Sequence, residues 1–192
     1  MATEVRWTWA TFVLRARRSR TAFAALAIAA AALLGSQPGA SAQATDAQGA
    51  FERLKTLAGK WDATEKGNPK FAEEVTYSLT GRGTVIIEDM VAAKSVMGHM
   101  LTAYHLDGGK LVLTHFCGAG NQPRMRMTGA ANDGKRIGFE MYDITNLSGP
   151  QAYHSTNVEV LFLSDDRVDL VYRGRAAEKE YTQVFQLTRK KS

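Results

Sequence analysis

Four histidines and one cysteine are the side chains of this chain with the greatest potential for metal binding or nucleophilic chemistry. His115 and Cys117 lie two residues apart in an alternating segment, so on a β-strand they share one face, with Cα atoms roughly 6.6 Å apart. That separation is long for a direct imidazole–thiol hydrogen bond, so an activated thiolate needs a histidine from a neighbouring strand. The same pair with a further histidine could form a three-ligand zinc site that leaves one position open to water.

The hairpin at residues 107–109 (DGG) decides which side chains join this His–Cys pair. A two-residue type I′ loop places Thr102 and Tyr104 beside the pair. A three-residue loop with a glycine bulge instead brings His99 and His105 to the same face. Both registers are compatible with the sequence, so a convergent histidine cluster and scattered histidines remain alternatives.

The segment after Cys117 contains further groups that could bind a ligand. Residues 118–124 (GAGNQPR) have the composition of an irregular loop between strands. The Arg124 guanidinium could bind a carboxylate or phosphate head group inside a barrel cavity. In the alternative, Asn121 and Gln122 only satisfy loop backbone groups and Arg124 faces water.

The first 42 residues have the pattern of a cleavable secretory signal. A basic cluster over residues 15–20 precedes an apolar run over 21–35, and Ala40-Ser41-Ala42 provides a small-x-small cleavage site. The sequence therefore predicts export to the periplasm or the outside of a bacterial cell, with residues 43–50 as a flexible lead-in. The alternative is an uncleaved membrane anchor, but the apolar run is shorter than the about 20 residues that span a bilayer.

Removal of the predicted signal changes the charge of the chain. The sequence has 24 basic and 19 acidic residues, a net charge of +5, but five of the basic residues and one acidic residue lie in the first 42. The remainder has 19 basic and 18 acidic residues, so we expect neither a nucleic-acid partner nor membrane insertion after cleavage. The single cysteine also excludes an intramolecular disulfide and a zinc site built on paired cysteines.

Beyond the signal, the dominant hydrophobic period is two residues, as in β-strands. Phe51, Leu54 and Leu57 predict one short helix that ends at Gly59. About ten alternating segments follow, separated by turns rich in Gly, Asn and Asp. The sequence therefore predicts one all-β domain over 51–192, a closed antiparallel up-and-down barrel of about 8–10 strands with a short N-terminal helix. A β-sandwich is the alternative.

The start of this domain, Phe51-x-x-Leu54-x-x-Leu57-x-Gly59-x-Trp61, resembles that of the calycin barrels, which include lipocalins and fatty-acid-binding proteins. The resemblance implies that Trp61 packs at the closed end of the barrel against Arg189 through a cation–π contact. The strand number is closer to fatty-acid-binding and nitrobindin-type members than to eight-stranded lipocalins. A nitrobindin-like barrel would use an axial histidine for haem, with His115 or His154 as candidates.

A second resemblance covers nearly the whole predicted mature chain. Residues 100–117 (MLTAYHLDGGKLVLTHFC) and 120–125 (GNQPRM) are similar to a family of small exported bacterial proteins with a lipocalin-like barrel and no established activity. Residues 139–147 (FEMYDITNL) and the pair His154-Ser155 are also similar to that family. The resemblance implies an exported barrel and specifies no chemistry.

These patterns together predict an exported, non-catalytic barrel that binds a mainly apolar small molecule with a polar or anionic end. The predicted ligand-binding residues are Tyr104, His115, Cys117, Asn121, Arg124 and His154. The first alternative is a metal- or haem-binding barrel, possibly an enzyme, that uses the histidines and the thiol; zinc and haem are the cofactors considered, and neither is favoured. The second alternative is a filled barrel with a structural or partner-binding role in the cell envelope.

Overall fold

Ten antiparallel strands close into an up-and-down barrel in the computed structural model, which confirms the predicted fold class. The structure describes residues 38–91, 98–130 and 134–191, so the predicted signal up to residue 37 lies outside the described residues. The strands are β1 Gly59–Glu65, β2 Asn68–Thr80, β3 Val85–Val91, β4 His99–Asp107, β5 Lys110–Phe116, β6 Gln122–Ala130, β7 Arg136–Thr145, β8 His154–Ser164, β9 Arg167–Ala176 and β10 Lys179–Arg189. Each strand pairs with its sequence neighbours and β1 pairs with β10, so no sheet edge remains open and the sandwich alternative is wrong.

One α-helix, α1 (Pro38–Lys55), precedes the barrel and packs against β4, β5 and β6. It begins earlier than predicted, because residues 43–50, expected to form a lead-in, are helical. Ala47 and Ala50 are buried together with Phe51 and Leu54, so the apolar stripe has the spacing i, i+3, i+4, i+7. Two small alanines with high helix propensity extend the buried stripe one turn before Phe51. No described helix is long and apolar enough to cross a membrane.

The closed end of the barrel contains the predicted contact between Trp61 and Arg189. The guanidinium carbon lies 4.1 Å from the centre of the Trp61 ring, which confirms the cation–π prediction. Arg189 also donates to backbone carbonyl oxygens of Thr56 at 2.8 Å, Ala58 at 3.0 Å and Asp165 at 3.1 Å. One side chain of the last strand thus fixes the link between α1 and β1 and the turn between β8 and β9.

The hairpin between β4 and β5 has the two-residue loop. Asp107 pairs with Lys110, and the intervening Gly108 and Gly109 have φ angles of 54° and 77°, as a type I′ turn requires. This register places Thr102 directly opposite His115. It leaves the other two histidines of the hairpin off that face: His99 is exposed beside Asp89, and His105 Nδ1 lies 3.2 Å from the carbonyl oxygen of Leu106. The alternative of a convergent histidine cluster is therefore wrong.

Loss of the Arg189 side chain should destabilise the barrel at its closed end. Arg189→Leu removes the cation–π contact and leaves three backbone carbonyl groups without their donor, so we expect a loss of about 2 kcal/mol in the free energy of unfolding. Urea denaturation followed by circular dichroism measures it. Arg175→Leu is the matched control, because Arg175 is exposed and forms only a surface ion pair with Glu180. Equal losses in the two variants would contradict the role assigned to Arg189.

Candidate functional site

A row of polar side chains crosses four neighbouring strands inside the barrel. The cross-strand partners, in order from β2 to β5, are Tyr77, Glu88, Thr102 and His115. The Tyr77 hydroxyl donates to Glu88 Oε2 over 2.8 Å, and Thr102 Oγ1 lies 3.3 Å from Glu88 Oε1. Thr102 Oγ1 also lies 2.9 Å from His115 Nδ1. Side chains of paired residues lie on the same face of a sheet, so this row forms a continuous hydrogen-bonded chain in the core.

Two further tyrosines complete the hydrogen bonds to Glu88, a side chain only 1% exposed. The Tyr104 hydroxyl donates to Oε2 over 2.7 Å, and the Tyr172 hydroxyl donates to Oε1 over 3.0 Å. Tyr172 belongs to β9, so its bond to β3 runs through the barrel interior rather than along a strand pair. Together with Tyr77 and Thr102, four hydroxyls fill the acceptor capacity of one carboxylate. We call these five side chains the glutamate cluster.

Burial changes the acid–base behaviour of the glutamate cluster. It raises the pKa of Glu88, and the hydrogen bonds from the hydroxyls oppose this effect. Burial also raises the pKa of Tyr77, Tyr104 and Tyr172 well above the ordinary range of a phenol. The three phenols therefore stay protonated and continue to donate. Glu88 is held by neutral donors, and none of its hydrogen-bond partners is a cation.

The glutamate cluster determines which nitrogen of His115 carries the proton. Burial lowers the pKa of His115 to about 4, so the ring is neutral at neutral pH. Thr102 has a single hydroxyl proton, and when it donates this proton to Glu88 it must accept from His115 Nδ1. The Nδ1–H tautomer that results leaves His115 Nε2 as an acceptor.

A cavity lies beside the glutamate cluster, toward the end of the barrel at which β1 ends at Glu65 and β5 ends at Phe116. Its described lining consists of Glu73, Met90, Met100, His115, Cys117, Tyr153, Ser155, Tyr172, Gln183 and Phe185. The cavity volume is about 50 Å³. One water molecule needs roughly 10–15 Å³ of such space, so the cavity accommodates a group of a few non-hydrogen atoms.

Glu73 on β2 is the second buried carboxyl of the barrel, and its surroundings differ from those of Glu88. Its side chain is 6% exposed and lines the cavity, yet neither carboxyl oxygen has a hydrogen-bond partner among the described residues. Burial, and to a lesser extent the charge of Glu65, raises the pKa of Glu73 to about 7. An acceptor that is buried at a cavity without a donor is energetically costly unless a bound molecule supplies the donor.

The remaining polar groups of the cavity wall are already paired with one another. The Tyr153 hydroxyl donates to Gln183 Oε1 over 2.9 Å, and Gln183 Nε2 donates to Glu65 Oε1 over 3.3 Å. The Ser155 and Tyr181 hydroxyls lie 3.1 Å apart, and the Tyr181 ring stacks on that of Tyr153 at 4.6 Å. The Tyr153 hydroxyl and one of the two N–H groups of Gln183 are thus committed to other protein groups.

Cys117 lines the cavity next to His115, but the structure does not make it an activated thiolate. Burial raises the pKa of the Cys117 thiol, and the sulfur accepts only a long bond of 3.5 Å from the backbone N–H of Ala119. The Nδ1 of His115 is bonded to Thr102. The contacts of the described residues therefore do not pair the thiol with a hydrogen-bonded base.

Three of the predicted ligand-binding residues occupy the inner region of the barrel. His115 and Cys117 line the cavity, whereas Tyr104 lies one step away, as a donor in the glutamate cluster. Asn121 is buried: its Nδ2 donates over 2.7 Å to the carbonyl oxygen of Tyr153, and its Oδ1 has no hydrogen-bond partner among the described residues. Asn121 therefore has a positioning role and is not part of the described lining.

Arg124 and His154, also predicted to bind a ligand, are not among the described residues that line this cavity. Arg124 is 43% exposed and forms an ion pair with Asp143, because the neighbouring Met125 occupies the inward position on β6. His154 is buried at the start of β8, where its Nδ1 bonds to the carbonyl oxygen of Ala152 over 2.7 Å. The arginine expected to bind an anionic group thus lies on the outer face of the sheet.

Sequence reasoning missed both buried glutamates. The signal was present in the alternation, because Glu73 shares one face of β2 with the apolar Val75, and Glu88 lies between Ile86 and Met90 on one face of β3. An acidic residue on the apolar face of a strand is a candidate buried carboxyl. Within the described residues, no three His, Cys, Asp or Glu side chains lie close enough to hold a metal ion together.

Removal of one donor from the glutamate cluster should destabilise the fold. Tyr104→Phe keeps the ring and leaves the buried Glu88 carboxyl with one donor fewer, so we expect a loss of about 1–3 kcal/mol in the free energy of unfolding. Tyr142→Phe is the matched control, since Tyr142 is half-exposed and lies outside the cluster; about 0.5 kcal/mol or less is expected there. Urea denaturation compares the two variants. An unchanged free energy of unfolding in Tyr104→Phe would show that the glutamate cluster does not stabilise the core.

The raised pKa of Glu73 should be visible in the pH dependence of stability. This carboxyl binds its proton with a pKa of about 7 in the folded protein, against 4.5 for an ordinary glutamate. The folded state therefore binds more protons between these values, and the contribution of Glu73 to the free energy of unfolding falls as the pH rises through this range. At about pH 8, Glu73→Gln should be more stable than wild type by on the order of 1–2 kcal/mol.

Urea denaturation at several pH values between about 4 and 8 checks this expectation. Glu140→Gln serves as the control, because it removes a carboxylate from an exposed position on β7. A Glu73→Gln variant whose stability follows that of wild type across the whole range would contradict a raised pKa at Glu73.

Comparison with protein-family models found no matching family, and comparison with curated proteins found no similar protein. The chemistry of the cavity is therefore the basis for a functional proposal.

Proposed function

We propose that this protein is an exported, non-catalytic barrel that binds a mainly apolar small molecule by its polar end. The observation that carries the proposal is Glu73, a buried carboxyl at a cavity with no hydrogen-bond partner for either oxygen among the described residues. A ligand donor at this position would relieve the cost of that unpaired group. A neutral His115 and a protonated Cys117 beside it favour binding over nucleophilic chemistry.

The apolar part of the ligand has matching surface in the cavity wall. Met90, Met100 and Phe185 line it together with the Tyr172 ring. Methionine side chains adapt their shape to a bound group, and aromatic rings offer flat apolar contact. The wall thus supports a ligand whose polar end enters the cavity and whose apolar part contacts thioethers and rings. An anionic end has no support here, because Arg124 lies on the outer face.

Export belongs to the same proposal and rests on the signal pattern of the first 42 residues. Cleavage after Ala42 would shorten α1 but retain Ala47, Ala50, Phe51 and Leu54, the buried side chains by which the helix packs on the barrel. The partner expected is a small molecule, and the outer face offers no reason to expect nucleic acid, since the charge after cleavage is close to neutral.

One preparation tests both parts of the proposal. The full chain is produced in a bacterium, and the intact mass of the protein in the periplasmic fraction should correspond to cleavage after Ala42. Ligand-observed NMR with fragments of up to about eight non-hydrogen atoms then tests binding. We expect fragments that bind the wild type and lose binding in Cys117→Leu, which fills the cavity.

Phe116→Leu is the matched control, because the neighbouring Phe116 is half-exposed and is not part of the described lining. Circular dichroism confirms that each variant is folded. Absence of bound fragments, or equal binding by Cys117→Leu and wild type, would contradict ligand binding in this cavity and favour a filled structural barrel. Protein that remains in the cytoplasm with an uncut chain would contradict export.

A further inference from the structure

We infer that the ligand is a small organic cation, a protonated amine whose ammonium group binds between Glu73 and His115. This inference rests on the proposed function, because it names the chemical class of molecule that the same cavity takes. It follows from the balance of hydrogen-bond donors and acceptors in the cavity wall. That balance can be counted from the contacts of the described residues.

Several polar groups of the wall are bonded within the protein. The Tyr172 hydroxyl donates to Glu88, the Tyr153 hydroxyl donates to Gln183, and Gln183 donates to Glu65. The Ser155 hydroxyl is bonded to that of Tyr181. A ligand that offers only acceptors would therefore find few uncommitted donors in this wall: the second N–H of Gln183 Nε2, the weakly donating thiol of Cys117 and, when it is protonated, the Glu73 carboxyl.

The acceptors of the wall, in contrast, are open. Both oxygens of Glu73 lack a partner among the described residues. When Thr102 donates its proton to Glu88, it accepts the Nδ1 proton of His115, and His115 Nε2 is then an acceptor. An ammonium group has three N–H donors and a positive charge, so it satisfies several acceptors at once and forms a charge-assisted hydrogen bond with the carboxylate.

The apolar lining agrees with an organic cation rather than a hydrated metal ion. Five of the other eight described lining residues are thioether or aromatic side chains: Met90, Met100, Tyr153, Tyr172 and Phe185. Aromatic faces attract cations that are removed from water, and an alkyl chain gains further from apolar contact. None of the described residues that line the cavity is a lysine or an arginine, so no described cation competes for Glu73.

Ionisation of Glu73 couples this binding to pH. The titratable groups that face it are Glu65 from β1, His115 from β5, Cys117 from the following loop, Tyr153 from the segment before β8 and Tyr172 from β9. Near neutral pH the imidazole is neutral, and the thiol and the phenols are protonated, because burial shifts their pKa values in those directions. The group that changes charge around neutral pH is therefore Glu73, and an ammonium ligand binds its ionised form.

The test compares butylammonium with 1-butanol, which has similar size and no charge. Protein with ¹³C-labelled methionine methyl groups is titrated with each compound, and the Met90 and Met100 signals report on the cavity. Met125, buried on β6 and not part of the described lining, is the internal control. We expect butylammonium to shift the signals of Met90 and Met100 and to bind at least about tenfold more tightly than 1-butanol at pH 8.

The pH dependence and one variant sharpen this test. Butylammonium affinity should fall by up to about tenfold for each unit of pH below 7, whereas 1-butanol affinity should not change with pH. Glu73→Gln should remove both the preference for the cation and its pH dependence and retain the weak binding of 1-butanol. Glu140→Gln, which alters an exposed carboxylate, should behave as wild type.

Three other outcomes would contradict the inference, and they differ in what they imply for the proposed function. Equal affinities for the two compounds in the wild type would overturn the inference and leave the proposed ligand-binding function intact. Displacement of butylammonium by an equal concentration of potassium chloride, but not of tetramethylammonium chloride, would show an inorganic cation site instead. Absence of any shift at Met90 and Met100 with both compounds, together with a negative fragment screen, would overturn the inference and the proposed function together.

Discussion

The interior of this barrel depends on one carboxyl, Glu88, held by four hydroxyl groups. A carboxyl buried this deeply would be strongly destabilising without partners. Tyr77 and Thr102 reach it from the adjacent strands, and Tyr172 reaches it from the other side of the interior. The bonds therefore connect the walls of the barrel as well as its neighbouring strands. Apolar packing around the cluster stabilises the core without fixing a register. The directional hydrogen bonds to Glu88 require each of these strands to keep its register.

The same cluster determines the chemistry of the adjacent cavity. When Thr102 donates its hydroxyl proton to Glu88, it accepts from His115 Nδ1, and Nε2 then carries no proton. Glu88 also accepts the hydrogen bond of the Tyr172 hydroxyl, so this hydroxyl is not available to donate to a molecule in the cavity. A group that does not touch the cavity thus makes the wall rich in acceptors. In the proposed site, Glu88 would therefore influence ligand selectivity without contacting the ligand, through the residues to which it is hydrogen-bonded.

The barrel could be predicted from the sequence because the signals that indicate strands and turns are local. Strand alternation and turn residues repeat along the chain, and the Trp61–Arg189 contact followed from the resemblance to calycin barrels. Burial direction was harder to predict: Arg124 was expected to reach into the barrel, whereas the neighbouring apolar Met125 occupies the inward position on β6. The cluster could not be predicted, since Tyr172 lies 84 residues from Glu88 and meets it only after closure.

Glu73 and Glu88 together show how environment separates the roles of two identical side chains. Both lie on inner faces of adjacent strands, and burial raises the pKa of both. Glu88 has a hydroxyl for every acceptor position, so a ligand would have to break existing bonds to reach it. Glu73 has none among the described residues, and it lies at the cavity. Among the described residues, one buried carboxyl is therefore fully hydrogen-bonded and the next one is unpaired, and the proposed ligand site rests on this contrast.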